Sequence, residues 1–462
     1  MVGFYLLAVG LSLTLLWIAW MTVKLGHAGG FKVALLAAAA GGTVLLSLRP
    51  RRHPFHPPGP PITHAQHPRL FDVLEDVARA TNQKMPATVY VSPDLNAAVL
   101  HHGGVLGLGG RRTMILGLPL LHVVTVDQVK AILAHEFGHF SGGDTRIGRL
   151  VYQTRAGLVR TLAAVEGDWL ETLFSFYAKI VMRISMAVSR QQEFAADAFA
   201  ARVISTQDII DGLRISDRTG SYLSMFFLTN VLPIVQAGYR PPIGSGFAAY
   251  SALMPSTPMR EHREVDAQDA VHDSHPPLED RIAALEALGS NPARVSDTRA
   301  ASALLTDTWE LEGRVYTLDE SRGRRLKFIE WSQVTERVMI PYWRQTVEER
   351  RATLRAVTIE ALPTSPTGIM KLVRSTADLK LKLLDDPEIL GVVVHAITAG
   401  VALRLIEQGW TPVSASTSIG TLARNDETLE VVAVVHGVLL GTTPLEYWAA
   451  ICRRHNLSGP LA

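Results

Sequence analysis

The chain has 462 residues, which at about 100–200 residues per domain makes room for two to four domains. Lys+Arg at 45 against Asp+Glu at 43 leaves a net charge of +2, which argues against a general nucleic-acid binder, and a hydrophobic content of 47% excludes a wholly disordered chain. Charged residues make up only 19%, and Cys452 is the one cysteine, so there is no intrachain disulfide and no multi-cysteine metal centre; a transition metal would rest on His, Asp or Glu.

Residues Met1 to Val23 carry no charged side chain, a run long enough to cross a bilayer core of about 30 Å as a helix. After LGHAGG, edged by Lys24 and Lys32, the run Val33 to Leu48 is again uncharged; it is slightly short, and Phe31 with a snorkelling Lys32 extends it. A signal peptide is the competing reading, but the first segment lacks a basic start and a second apolar segment follows closely. Residues 1–52 therefore read as a transmembrane hairpin. Arg49, Arg51 and Arg52 at its exit place both hairpin ends, and the chain that follows, in the cytoplasm. A lone cysteine fits that reducing compartment.

Residues 53–68 hold six prolines and four histidines and read as a stiff extended linker rather than a metal site, since prolines block a compact ligand helix. From Arg69 to Ala80 the apolar positions Leu70, Val73, Leu74 and Val77 predict an amphipathic helix. TVYVSP (88–93) and Ala97 to Leu100 read as strands, GGVLGLGG (103–110) as a turn between strands, and MILGLPLL (114–121) as a strand or helix start. The glycine run lacks the dinucleotide-binding pattern. Thr125 with Gln128 fits a capping box opening a helix that Gly142 and Gly143 end.

Residues 147–203 read as largely helical. Leu170 to Val188 is apolar but carries Glu171, Lys179 and Arg183, which reads as membrane-adjacent or packed helices, with transmembrane spans as the alternative. Thr219 to Tyr239 is uncharged and reads as a buried helix or a third membrane-contacting segment. Residues 241–274, rich in Pro, Gly and Ser, read as loop, and 276–288 as a helix. Beyond Ser302 the character changes: 324–357 is charged and helical, 386–407 an apolar helix, and 429–441 a strand pair or buried helix, with no catalytic motif in this tail.

The decisive segment is His135-Glu136-Phe137-Gly138-His139. Residues four apart share a helix face, so both imidazoles can meet one Zn²⁺ at about 2.0–2.1 Å, and Glu136 stands where the H-E-x-x-H pattern places its general base. A catalytic zinc needs a third ligand, and no third histidine follows at the metzincin spacing. SRQQEFAAD (189–197) supplies carboxylates: Glu193 and Asp197 share a face, one to bind metal and the other to accept an N–H from a ligating imidazole. A solvated acidic face is disfavoured by the small apolar residues around them.

HEFGH, SRQQEFAADAFAA and SHPPLEDRIAAL (274–285), in that order, resemble the HtpX-like membrane zinc metallopeptidases, relatives of the CAAX prenyl proteases. Asn96-Ala97 after a strand is similar to the family's NA motif. The resemblance spans roughly residues 1–290. It implies His135, His139 and Glu193 as zinc ligands, Glu136 as general base and Asp197 as the residue orienting a ligand. It also implies that His275 and Arg281 face the active site as catalytic groups, and that Asn96 and Ala97 contribute to substrate binding.

The implied fold is mainly α with a small β-sheet. A zincin-like (gluzincin) metallopeptidase domain (69–290) follows the hairpin and linker, and an α+β extension of unknown role (302–462) closes the chain. The implied activity is endopeptidase cleavage of polypeptides, including misfolded membrane proteins, at a cell membrane with the catalytic domain in the cytoplasm; no nucleic acid is involved. The family implies more membrane segments than the two clear ones here. A non-enzymatic scaffold on the same fold and a prenyl-protein processing protease are the competing readings; the intact Glu136 and ligand set speak against the first, and the few spans against the second.

Overall fold

The computed structural model describes residues 2–25, 30–48, 55–102, 111–141, 158–159, 162, 169–253, 276–289, 296–318, 326–376, 381, 386–413 and 419–462. They divide into two compact units, the first formed by Met1–Asp217 with Met259–Thr306 and the second by Arg218–Pro258 with Asp307–Ala462.

In the first unit, helices α1 (Val2–Lys24) and α2 (Gly30–Leu48) pack on each other. Gly41 permits the approach, because a Cβ there would meet the carbonyl oxygen of Ser12 at 2.9 Å. Leu15 and Val44 join a buried cluster with Leu158, Ala178 and Val181. By length and composition, one helix with described side chains is long and apolar enough to cross a membrane: Ile389–Glu407, which is 61% buried as a core helix would be. The comparable apolar stretches of α1 and α2, Val9–Lys24 and Phe31–Leu46, are shorter.

A four-stranded sheet follows. Strand β1 (Pro61–Ile62) comes out of the proline-rich stretch and pairs antiparallel with β2 (Thr88–Ser92), Pro61 opposite Tyr90. Proline is tolerated there because β1 is an edge strand. Between them α3 (Pro68–Ala80) starts on Pro68 and buries Leu70, Val73, Leu74 and Val77, the expected stripe. Strands β3 (Ala97–His102) and β4 (Arg111–Gly117) complete the order β1-β2-β4-β3, with β2 and β4 parallel and β3 antiparallel at the other edge. The MILGLPLL segment is both of its readings in turn, since β4 passes directly into α4 (Leu118–Val123). Gly117 marks that corner: a Cβ there would lie 2.0 Å from the carbonyl oxygen of Asp94.

Helix α5 (Val126–Ser141) opens on the expected capping box. Thr125 N–H donates to Gln128 Oε1 at 2.9 Å, and Gln128 N–H donates to Thr125 Oγ1 at 3.2 Å. Its first turn is tied down again by Asp127, whose Oδ2 accepts from Asp297 N–H at 2.7 Å. The 35-residue α6 (Trp169–Val203) packs against α5, and α7 (Thr206–Phe226) begins in this unit and crosses into the second at residue 218. The helix Leu278–Glu286 packs on α6. The 103–110 turn, the Gly142–Gly143 stop, the arginines at 49, 51 and 52 and most of 142–168 lie outside the described residues.

In the second unit a π-helical turn, Phe227–Val231, leads into α8 (Leu232–Gln236). The expectation of loop from 241 onward is corrected: Ile243–Leu253 is helix α9, while 254–274 lies outside the described residues. Tertiary capping overrides the glycine and serine content. The buried Glu312 of α10 (Thr308–Tyr316) accepts the N–H groups of Ile243 and Gly244, both at 2.8 Å, closing two of the four open donors of that helix start. Gly246 lets the Trp331 ring lie against α9, where any Cβ would collide at 2.3 Å, and Trp331 Nε1 donates to Pro242 O at 2.8 Å.

A second π-helical turn, Thr335–Met339, precedes α11 (Ile340–Glu349). The apolar helix α12 (Asp386–Glu407) forms the core with Val393, Ile397, Val401 and Leu405 buried. Strands β5 (Thr411–Pro412), β6 (Thr421–Arg424) and β7 (Glu427–Glu430) make an antiparallel sheet. The 429–441 alternative resolves as the end of β7 followed by helix α13 (Val431–Leu439).

Thr125→Ala removes the reciprocal cap of α5. We expect a loss of about 1 kcal/mol in stability, read as a lowered unfolding midpoint, with Thr125→Ser close to wild type. An unchanged midpoint in the alanine variant would show that the Asp127–Asp297 contact alone holds the helix start.

Candidate metal centre

The two imidazoles of α5 emerge on one face, as residues 135 and 139 must. Their rings stand edge to face with centroids 4.8 Å apart and planes at 85°. Glu193 of α6 reaches both: His135 Nε2 lies 3.5 Å from Glu193 Oε2 and His139 Nε2 lies 3.7 Å from Glu193 Oε1. One ligand atom from each of His135, His139 and Glu193 falls within 4.8 Å of the others, the spacing at which three donors can share a cation. Two nitrogens and one carboxylate oxygen are a donor set that zinc accepts, with a coordination position left over.

The helices can approach this closely because of small residues. A Cβ on Gly138 would sit 3.2 Å from Ala196 Cα and 3.2 Å from the Phe199 ring. Gly138, in the middle of the motif, and Ala196, between the two acids, are where α5 and α6 meet. Glycine in a helix interior costs about 1 kcal/mol relative to alanine. That cost is the sequence signal for a packing role at Gly138.

Behind these three donors lies a second layer of charged side chains. His135 Nδ1 lies 2.8 Å from Asp197 Oδ1. Arg281 grips the same carboxylate with both arms: its Nε and Nη2 donate to Asp197 Oδ2 and Oδ1, each at 2.7 Å, and Nη2 lies 3.6 Å from Glu193 Oε2. All four side chains, His135, Glu193, Asp197 and Arg281, are buried. Burial alone would push the Asp197 carboxyl up, but the hydrogen bonds from Arg281 and His135 outweigh it and hold its pKa below the usual value. Burial would likewise depress His135, yet its bonds to Asp197 and Glu193 and the charge of Glu136 raise its pKa to about 9. The carboxylates around His135 thus favour a positive charge at that imidazole.

Glu136 points toward the sheet. Its Oε2 accepts the backbone N–H of Val99 on β3 at 3.3 Å, so the motif helix and the edge strand face each other. Asn96 and Ala97 stand at the start of that strand, where Asn96 Oδ1 accepts the Ala97 N–H at 2.8 Å and Asn96 O accepts Gly117 N–H at 2.7 Å. Of the residues expected at the site, His135, Glu136, His139, Glu193, Asp197 and Arg281 come together. Arg281 stands behind Asp197, and His275 lies outside the described residues.

Residues 64–288 match the family described as peptidase family M48, a stretch that includes every one of these side chains. That stretch is similar to the M48 peptidases. The expected resemblance to HtpX-like metallopeptidases stands with it. A "Protease HtpX homolog" of Pseudarthrobacter chlorophenolicus is 28% identical over 248 residues, covering 50% of this chain and 76% of the relative. "Protease HtpX" of Pasteurella multocida is 27% identical over 243 residues, covering 48% and 72%. "Protease HtpX" of Vibrio cholerae serotype O1 is 30% identical over 171 residues, covering 30% and 56%. The M48 match supports a metallopeptidase, and it ends at residue 288.

Arg281→Ala would leave Asp197 buried with one partner fewer. Breaking a buried pair in this way costs about 3–5 kcal/mol, so the urea midpoint should fall sharply. Arg281→Lys should recover only part of the loss, because an ammonium cannot supply both parallel bonds. Wild-type stability in Arg281→Ala would refute the assignment of the guanidinium to Asp197.

Proposed function

We propose that this chain is a membrane-anchored zinc endopeptidase of the gluzincin type, with His135, His139 and Glu193 as zinc ligands and Glu136 as general base. The observation that carries the reading is the convergence of those three donors within 4.8 Å, with Asp197 on the far nitrogen of His135. A zinc ion held there would supply Lewis-acid chemistry, bringing the pKa of water toward about 7 and polarising a peptide carbonyl.

The chain's own residues do the rest. Glu136 takes the proton of the attacking water and later delivers it to the leaving amine, the two halves of general acid–base catalysis. Asp197 accepts the Nδ1–H of His135, which fixes the tautomer that leaves Nε2 free to ligate. Arg281 holds the Asp197 carboxylate in place and is a positioning residue. His275 would add a donor toward the developing oxyanion.

Strand β3 supports substrate binding. It is a sheet edge, and the Val99 N–H that meets Glu136 points away from β4, so an extended peptide could pair along it. Asn96 and Ala97 would set where that pairing begins. Main-chain recognition of this kind favours unfolded polypeptides of many sequences, which suits clearance of misfolded membrane proteins. The hairpin of α1 and α2 would be the anchor, with the M48 domain in the cytoplasm at the cell membrane.

The test is proteolysis of unfolded casein by the full chain. Glu136→Gln keeps the shape but cannot accept a proton, so activity should fall by about 10²–10⁴-fold while zinc content stays at one per chain. Glu193→Ala should lose the zinc. Asp197→Ala should lose about 10–100-fold in affinity or activity and recover in excess zinc. An active Glu136→Gln, or a Glu193→Ala that keeps its zinc, would refute the roles.

A further inference from the structure

The second unit carries a partly open cleft of about 1010 Å³, whose lining residues all belong to that unit. That is the upper end of the roughly 300–1,000 Å³ usual for small-molecule sites. Both π-helical turns found among the described residues open onto it, the first through Leu228, Thr229 and Asn230, the second through Arg337, Val338 and Met339. Each turn is followed by a proline as second residue of the next helix, Pro233 and Pro341. In a regular helix those rings would strike the carbonyls of Thr229 and Arg337, and the wider turn relieves the clash. Such turns occur disproportionately at functional sites, and here two independent ones face one space.

The lining has two characters. Met225, Leu228, Leu253 and Tyr342 are apolar or aromatic and exposed, between 39% and 63%, which makes an apolar mouth. Further along, His395 of α12 and His436 of α13 are half-buried, and the Nε2 atom of each is buried without a hydrogen-bond partner among the described residues. Burial lowers the pKa of both imidazoles, and protonation of His436 would lower that of His395 further, so the neutral forms are favoured near pH 7. Arg337 and Glu430, both exposed, balance each other's charge at the lining.

The occupant follows from what this lining offers. Most of the lining residues sit on helices or π-turns, whose backbone groups are bonded along the helix, and Tyr239 and Glu430 are the strand residues among them, too little edge for an extended peptide to pair along. An acyl chain needs none. A carboxylate brings two acceptor oxygens, one for each imidazole N–H, in charge-assisted bonds. We propose that the second unit binds a fatty acid, its chain along Met225, Leu228, Leu253 and Met339 and its carboxylate between His395 and His436.

The probe is a diazirine-bearing palmitic acid, photolysed with the full chain in phosphatidylcholine nanodiscs, with the labelled peptides mapped by mass spectrometry. Labels should fall within residues 225–253, 337–343 and 395–436, and dodecanoate should displace them at least tenfold better than dodecanol or dodecyltrimethylammonium. The double variant His395→Phe with His436→Phe should abolish that head-group preference, because a hydrogen bond to a charged group is worth roughly tenfold or more in affinity. Ala433→Trp, at an exposed lining position, should obstruct the cavity and reduce labelling with the fold intact. Labelling confined to other segments would overturn the proposal. So would equal displacement by all three amphiphiles, or unchanged labelling in Ala433→Trp.

Discussion

The close crossing of α5 and α6 at Gly138 is the constraint on which the candidate site depends. Two histidines on one helix cannot complete a metal site, and the missing carboxylate must come from a helix whose axis lies near enough for Glu193 to reach both rings. Gly138 against Ala196 permits that distance. The same packing brings Asp197 to the far side of His135, where Arg281 from a third helix neutralises it. Four buried ionisable groups in one place would otherwise be prohibitively unfavourable; paired as they are, each carboxylate has a cationic or N–H partner.

The sheet plays the complementary part. The helix pack sets the donors, while β3 sets what can lie beside them. Because β3 is an edge strand and its Val99 N–H meets Glu136, the proposed base and the proposed substrate track share one contact. The cap at Thr125 and the Asp127–Asp297 contact then fix where α5 starts, hence the height at which His135 and Glu136 stand over that edge.

What was legible in the sequence was what is encoded locally. The capping box, the α3 stripe, the H-E-x-x-H face and the Glu193/Asp197 spacing all depend on helical periodicity, and each lies where that periodicity puts it. What was not legible depends on distant partners. Helix α9 read as loop because its start is capped by Glu312 and its glycine is filled by Trp331, some 70 to 90 positions away in the chain. The pairing of Pro61 and Ile62 as a sheet edge was hidden inside a proline-rich stretch. Arg281 was expected at the reacting centre, and only the folded chain shows both of its arms committed to Asp197. The cavity between the π-turns left only its two prolines as a trace.

The most direct test of the account is zinc X-ray absorption on the purified full chain. The three-donor site predicts two imidazole nitrogens and carboxylate oxygen in one shell at about 2.0–2.1 Å, with the multiple-scattering signature of two histidine rings, unchanged in Glu136→Gln and lost in Glu193→Ala. Zinc bound without imidazole scattering, or an identical shell in Glu193→Ala, would contradict it.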